Sequence, residues 1–161
     1  MTPDLSSLLI DGQVHPVLRA TSRKQVLCEL GTRLAEAVGL DGRLVIEAVM
    51  ERERLGSTGV GSGVAIPHAR VEGLKRTAGA FARIEPAVDF DAVDERPCDL
   101  VFMLLAPDGE GADHLRALAK VSRAMRQAGF REALRKAVDQ SELEALLSGE
   151  WSGKQSAPTA A

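Results

Sequence analysis

The sequence predicts a single α/β domain. Three observations carry this. Residues 100–106 form a continuous apolar run, as a strand buried on both faces requires. Apolar residues after Ser22, and again after Asp41, recur at helical spacing. Strand-like and helix-like stretches then alternate along the chain instead of segregating. At 161 residues the chain can bury a core without disulfide or metal staples.

Residues 1–13 read as an irregular lead-in around Leu8-Leu9-Ile10. Residues 14–20 predict a short edge strand, because Pro16 lacks the N–H that a central strand must donate. Ser22 with Gln25 reads as a capping box. Val26, Leu27, Leu30, Leu34 and Val38 follow on one helix face, and Gly39 stops the helix. A second helix is expected from about Asp41, with Leu44, Val45, Ala48, Val49 and Leu55 as its apolar stripe. Residues 56–63 are a loop rich in glycine and hydroxyls, leading into the short run Val64-Ala65-Ile66 and then Pro67 and His68.

Residues 77–84 predict a strand, 100–106 the central strand and 107–111 a loop. A third helix is expected over 112–128, with Leu115, Leu118, Ala119, Ser122 and Met125 along its apolar side and Gly129 breaking it. Residues 130–138 and 141–147 predict two short helices, the second opened by Ser141 and Glu144 as a capping box. The domain is expected to span 1–148, and the small, polar stretch 149–161 to be a disordered tail.

Composition excludes several classes. Lys plus Arg is 20 and Asp plus Glu is 23, so the net charge is −3, against a bulk nucleic-acid binder. Cys28 and Cys98 are far apart with no CxxC, and are expected to be reduced structural residues. No basic stretch followed by an apolar run opens the chain, and no apolar stretch could span a bilayer, so no membrane insertion and a cytoplasmic location are expected. Three histidines without tight ligand spacing argue against a metal site, and no cofactor is expected.

The informative stretch is residues 51–70, ERERLGSTGVGSGVAIPHAR. A nucleotide P-loop needs Gly-Lys-Ser/Thr four residues after its first glycine, and here Gly61 is followed by Ser62. The dinucleotide fingerprint fails as well, because Val64 stands at the third glycine position. What remains is a loop without bulk, whose N–H groups and whose Ser57 and Thr58 hydroxyls can face an anion. Pro67 fixes its own φ and presents His68, a nucleophile when its ring is neutral. An isolated histidine is more often structural and a glycine run more often a plain turn, so from these residues alone both readings stay open.

The same residues resemble a known family. Arg52, then Gly56-Ser57-Thr58-Gly59-Val60-Gly61, then Gly63-Val64-Ala65-Ile66-Pro67-His68 are similar to the signature of the IIA domains of bacterial phosphoenolpyruvate-dependent phosphotransferase systems, of the fructose, mannitol and nitrogen-regulatory type. The likeness continues through Phe90-Asp91, Pro97-Cys98-Asp99-Leu100, Ala106-Pro107 and Asp113-His114-Leu115, covering residues 5–148. One departure is Ala69, where many members carry glycine.

The resemblance implies a mixed β-sheet flanked by helices, with His68 as the phosphoryl acceptor and Arg52 and His114 beside it. Ser57, Thr58 and Gly59 become candidates for a phosphoryl-binding loop. The implied donor is a small phosphohistidine carrier protein, HPr or an HPr-like protein of the nitrogen branch. The Gly-Ser-Thr-Gly run looks closer to the regulatory branch, whose phosphorylation state controls proteins such as transporters and sensor kinases. The alternatives are a sugar-uptake component that passes phosphate to a IIB domain, and a binding module that has lost transfer.

Residue chemistry bears on the same positions. Arg52 lies four residues after Ala48 and is expected on the apolar stripe, where a charge needs a partner. Its guanidinium suits a phosphoryl group, although a snorkelling arginine fits the same position. His114 falls at a helix start after a buried strand, where anions are favoured. His15 has no such context and is assigned no role. Leu55, Val60 and Val64 are candidates for a docking face around His68.

Overall fold

The computed structural model describes residues 2–109 and 111–153. Six strands and five helices follow one another as β1 (Leu9–Arg19), α1 (Arg23–Val38), α2 (Gly42–Leu55), β2 (Gly59–Gly61), β3 (Val64–Ala65), β4 (His68–Val71), β5 (Ala78–Val88), β6 (Cys98–Pro107), α3 (Gly111–Met125), α4 (Ala128–Lys136) and α5 (Gln140–Leu147). The strands form one mixed sheet in the order β1-β5-β6-β3-β2, with β4 also paired to β6. β1 runs parallel to β5, β5 antiparallel to β6, and β3 and β4 both parallel to β6. The expected α/β class with a mixed sheet is what the chain forms.

Helices cover both faces of the sheet. On one face Val26, Leu30, Leu34, Val45 and Val49 of α1 and α2 pack against Ala80, Ala82, Val101 and Met103. On the other, Ala117, Val121, Phe130 and Leu143 of α3, α4 and α5 pack against Phe81, Leu100, Phe102 and Leu104. The period-2 alternation of β5 and β6 thus feeds two cores, and for this reason 100–106 reads as one unbroken apolar run.

Local signals explain three of the helix ends around the first two helices. Ser22 caps α1 by accepting from the Gln25 N–H at 3.1 Å, and Gln25 returns a bond to the Thr21 N–H at 2.8 Å. Gly39, at φ 76, ends α1 in the left-handed conformation glycine tolerates. Asp41 caps α2.

Other boundaries differ from expectation. β1 already starts at Leu9, and Pro16 is tolerated because the strand lies at the sheet edge. In α2 the buried stripe is Val45, Val49 and Glu53, whereas Leu44 and Leu55 are exposed. In α3 the buried face is His114, Ala117, Val121, Ala124 and Met125, while Leu115 is 65% exposed. The small Ala117 and Ala124 let α3 settle close to the aromatic side chains of the sheet, with Leu118 packed at the edge of this core and Leu115 turned aside. Gly129 does not break a helix but lies in the first turn of α4, where the Trp151 ring comes within 3.0 Å of where a Cβ would be. α5 is capped by Asp139, not Ser141, through the Glu142 N–H at 2.9 Å.

Trp151, in the stretch expected to be a tail, is only 8% exposed and packs at a tilt against Phe130 with ring centroids 5.4 Å apart. Its apolar surface outweighs the polarity of its neighbours. The rest of the expected tail, residues 154–161, lies outside the described residues. Cys28 and Cys98 are both free, and burial, followed by the nearby Asp99, pushes the Cys98 thiol up to about 12. Among the described residues no helix is long and apolar enough to cross a membrane.

Candidate functional site

The site is built where β3 gives way to β4. Both strands run along β6, and Pro67 occupies the step between them, its carbonyl accepting from the Leu104 N–H at 2.9 Å. His68 therefore opens a new strand segment; Pro67 interrupts the ladder without ending it. The His68 ring is half-buried, and its Nδ1 lies 2.8 Å from the Ile66 carbonyl oxygen. A carbonyl can only accept, so Nδ1 carries the hydrogen, and in the neutral ring Nε2 keeps a free lone pair.

His114 comes from the first turn of α3, on its buried face, and is 6% exposed. Its ring centroid is 5.4 Å from that of His68, with the planes inclined at 57°. Its Nδ1 is buried and makes no hydrogen bond within the described structure. Burial, and then the nearness of His68 and Arg70, push its pKa down to about 4, so the ring is neutral at physiological pH. His68 is also lowered from 6.5, chiefly by burial. The Ile66 carbonyl opposes that shift, Arg52 adds to it and Glu53 counters it.

Arg52 is half-buried on the flank of the α2 stripe, not within it. Its Nη1 donates to the Gly56 carbonyl at 2.8 Å, satisfying an exposed helix-end acceptor, and its charge reaches His68. The structure thus sets His114 beside His68 and Arg52 within electrostatic reach of it.

The loop behaves differently. The Ser57 hydroxyl donates to the Phe90 carbonyl, and the Gly59 N–H donates to Ser57 Oγ at 2.9 Å. Thr58 gives its N–H to Glu53 Oε2 at 3.0 Å and its hydroxyl to Glu53 Oε1 at 2.6 Å. These donors are committed to acceptors of the protein itself. Gly59 is needed for close approach, since a Cβ there would come within 2.9 Å of the Ala92 Cβ. Through Ser57, Thr58 and Gly59 the loop braces itself against Phe90 and Glu53.

Two nearby residues escape the sequence reading. Glu53 is 8% exposed, and its spacing from Val45 and Val49 was the available signal. Arg70 lies two residues beyond His68 on the same strand face, and its Nη2 is 3.3 Å from where a Cβ on Gly111 would be, at the start of α3. Of the docking candidates, Leu55 and Val60 are 79% and 56% exposed, whereas Val64 is core. His15 lies apart, between Gln13 Oε1 and Arg33 Nη1. Among the described residues no cluster of His, Cys, Asp or Glu could hold a metal ion.

Comparison with known proteins agrees with this picture. A family model described as "Phosphoenolpyruvate-dependent sugar phosphotransferase system, EIIA 2" matches residues 7–149. The chain is 42% identical over 143 residues to a nitrogen regulatory protein of Bradyrhizobium diazoefficiens, covering 89% of this chain and 94% of that protein. It is 34% identical over 147 residues to the nitrogen regulatory protein of Escherichia coli, covering 91% and 90%. The crystal structure of the nitrogen regulatory protein IIA-Ntr from Neisseria meningitidis superposes with a TM-score of 0.83 at 36% identity, covering 89% of this chain and 98% of that one.

Proposed function

The chain belongs to the phosphoenolpyruvate-dependent sugar phosphotransferase system EIIA 2 family, and from that premise we propose that it carries a phosphoryl group on Nε2 of His68 within a nitrogen-related regulatory branch. The family's members are phosphotransferase components, so the finer questions are which atom accepts the group, from what donor and to what end. The observation that carries the reading is the His68 ring, fixed through Nδ1 by the Ile66 carbonyl and standing 5.4 Å from His114.

Transfer proceeds in line. The donor is a phosphohistidine on a small carrier protein. The Nε2 lone pair of His68 forms the new N–P bond as the donor's N–P bond breaks, and the donor ring leaves with the electron pair. The His68 ring becomes a phosphoimidazolium whose Nδ1–H stays on the Ile66 oxygen. One phosphoramidate replaces another, so the step is close to balanced and needs neither nucleotide nor metal. Catalysis is positioning plus charge stabilisation. Arg52 is placed to leave Gly56 or share its fork with the phosphoryl oxygens. The neutral His114 offers a ring N–H as a further donor.

The regulatory branch is favoured by the two nitrogen regulatory proteins, which match over about nine-tenths of both chains. The regulated partners are then proteins that read the phosphorylation state. Leu55 and Val60, with Leu115 at 65% exposure, supply apolar surface for docking the carrier.

Incubation with a phosphorylated carrier followed by mass spectrometry tests the acceptor. The wild-type protein should gain one acid-labile phosphoryl group and His68→Ala none. No gain by the wild-type protein would support a binding module instead, and labelling by ATP without the carrier would point to a kinase. A pull-down with phosphorylated and unphosphorylated protein tests the regulatory role: partners indifferent to the phosphoryl group would argue against it.

A further inference from the structure

A buried carboxylate that the transfer step does not use lies at the root of the loop. Glu53 accepts three hydrogen bonds. Thr58 Oγ1 donates to Oε1 at 2.6 Å, the Thr58 N–H donates to Oε2 at 3.0 Å, and Arg23 Nη1 donates to Oε2 at 3.2 Å. Both donors of Thr58 are thus held by one side chain. The Thr58 carbonyl in turn accepts the Ile66 N–H at 2.9 Å. The Ile66 carbonyl accepts His68 Nδ1–H at 2.8 Å.

The five groups form one connected run from the first residue of α1 to the imidazole. Thr58 is tied at its N–H, its hydroxyl and its carbonyl. Ile66 is tied at its N–H on one side and its carbonyl on the other. Arg23 also reaches the Phe90 carbonyl at 3.2 Å, the same oxygen that the Ser57 hydroxyl uses. The loop before His68 is therefore fixed from two directions, and the fixed end of each path is a charged side chain.

We propose that Glu53 is a positioning residue for phosphoryl transfer: through Thr58 and Ile66 it holds the His68 ring with hydrogen on Nδ1 and the lone pair on Nε2. It does not touch the phosphoryl group. The buried carboxylate has a reason to be there, because its two oxygens accept from Arg23 and both Thr58 donors together. A glutamine at 53 keeps the shape but replaces one acceptor oxygen with an NH₂ donor. Turned one way, that NH₂ meets two donors, the Thr58 N–H and Arg23; turned the other, it reverses the Thr58 hydroxyl bond and leaves the Thr58 N–H and Arg23 on a neutral amide oxygen, which accepts more weakly than a carboxylate. The loop relaxes, and the Ile66 carbonyl no longer fixes one ring form.

The inference rests on His68 being the acceptor, so its test begins without any phosphoryl donor. Nitrogen NMR of the unphosphorylated protein reads the tautomer of His68 directly. In the wild-type protein the Nδ1–H form should dominate. In folded Glu53→Gln both tautomers should be populated. Thr58→Val, isosteric but without the hydroxyl, should shift the ring the same way, and Thr58→Ser should restore it. Labelling from the phosphorylated carrier should then slow about ten- to a hundredfold in Glu53→Gln, with KM for the carrier little changed. If Glu53→Gln fails to fold, the Thr58→Val and Thr58→Ser pair decides alone. A wild-type tautomer ratio in the folded Gln variant, or in Thr58→Val, would overturn the proposal. Failure of the wild-type protein to take phosphate would sink the acceptor reading while leaving the tautomer result standing.

Discussion

The imidazoles of His68 and His114 stand 5.4 Å apart although β4 and α3 are separated in the chain by the whole of β5 and β6. Neither ring is stacked flat on the other; their planes are inclined at 57°. Burial lowers the pKa of both rings, and Arg52 acts on His68 and Arg70 on His114 in the same direction.

The neutrality of His68 sets the pH profile of labelling. Its pKa lies below the ordinary 6.5. The rate of acceptance should therefore fall with a midpoint below 6.5 as the ring protonates. Rates of carrier-dependent labelling between pH 5 and 8 check this; a midpoint at or above 6.5 contradicts it.

His114 ties stability to pH. Its folded pKa is about 4 against 6.5 unfolded. A depressed pKa means that the unfolded chain binds the proton first as pH falls, so this stability is present above 6.5 and is lost on the way down to about 4. The full loss is about 3 kcal/mol. Denaturant titrations at a series of pH values should show a slope in this window that is smaller in His114→Asn.

Removing Arg52 separates chemistry from folding. Arg52→Ala loses one exposed hydrogen bond to the Gly56 carbonyl, worth about 1 kcal/mol. It should slow transfer far more, by about 2–4 kcal/mol of barrier. Rapid-quench labelling set beside thermal unfolding compares the two; equal effects on both would make Arg52 merely structural.

Trp151 offers a test of the C-terminal packing. Its ring is buried on Phe130, but its Nε1 has no hydrogen-bond partner within the described structure. Trp151→Ala should cost about 3–5 kcal/mol. Trp151→Phe forfeits no hydrogen bond and should cost less than about 1.5 kcal/mol. Urea unfolding of the two variants distinguishes ring packing from a polar contact.

The turn at Ser62 and Gly63 is clamped from outside. Arg135 Nη2 donates to the Ser62 carbonyl at 2.7 Å, and its fork takes both Asp99 oxygens at 2.8 and 2.9 Å. Gly63 has φ 79, and a Cβ there would meet Arg135 and come within 2.9 Å of Asp99 Oδ1. Gly63→Ala should destabilise by about 1–3 kcal/mol through backbone strain and displacement of the clamp. Measured stability of this variant against Arg135→Ala separates the two causes.

The central strand, the cap at Ser22, the start of the second helix near Asp41 and the stop at Gly39 were legible because each is a local signal. His68 was legible through Pro67 and the glycine run, but the family resemblance was needed to join it to Arg52 and His114. The inward face of α3 was legible only at Met125 and Leu118, because small residues make much of the contact with the sheet and periodicity weights the large ones. Glu53 was passed over for the same kind of reason. A carboxylate at the end of an apolar stripe reads as a helix edge until its partners, Thr58 and Arg23, arrive from elsewhere in the chain. Trp151 was hidden by its polar neighbours, since what decides its place is one large ring.

The oxygen that fixes the His68 ring belongs to the peptide unit of Ile66, not to any side chain. Exchange of the amino acid at 66 leaves that oxygen in place. Genetic screens that look for the anchor at its own codon will miss it, and its loss will surface only as distant mutations that tilt the peptide plane.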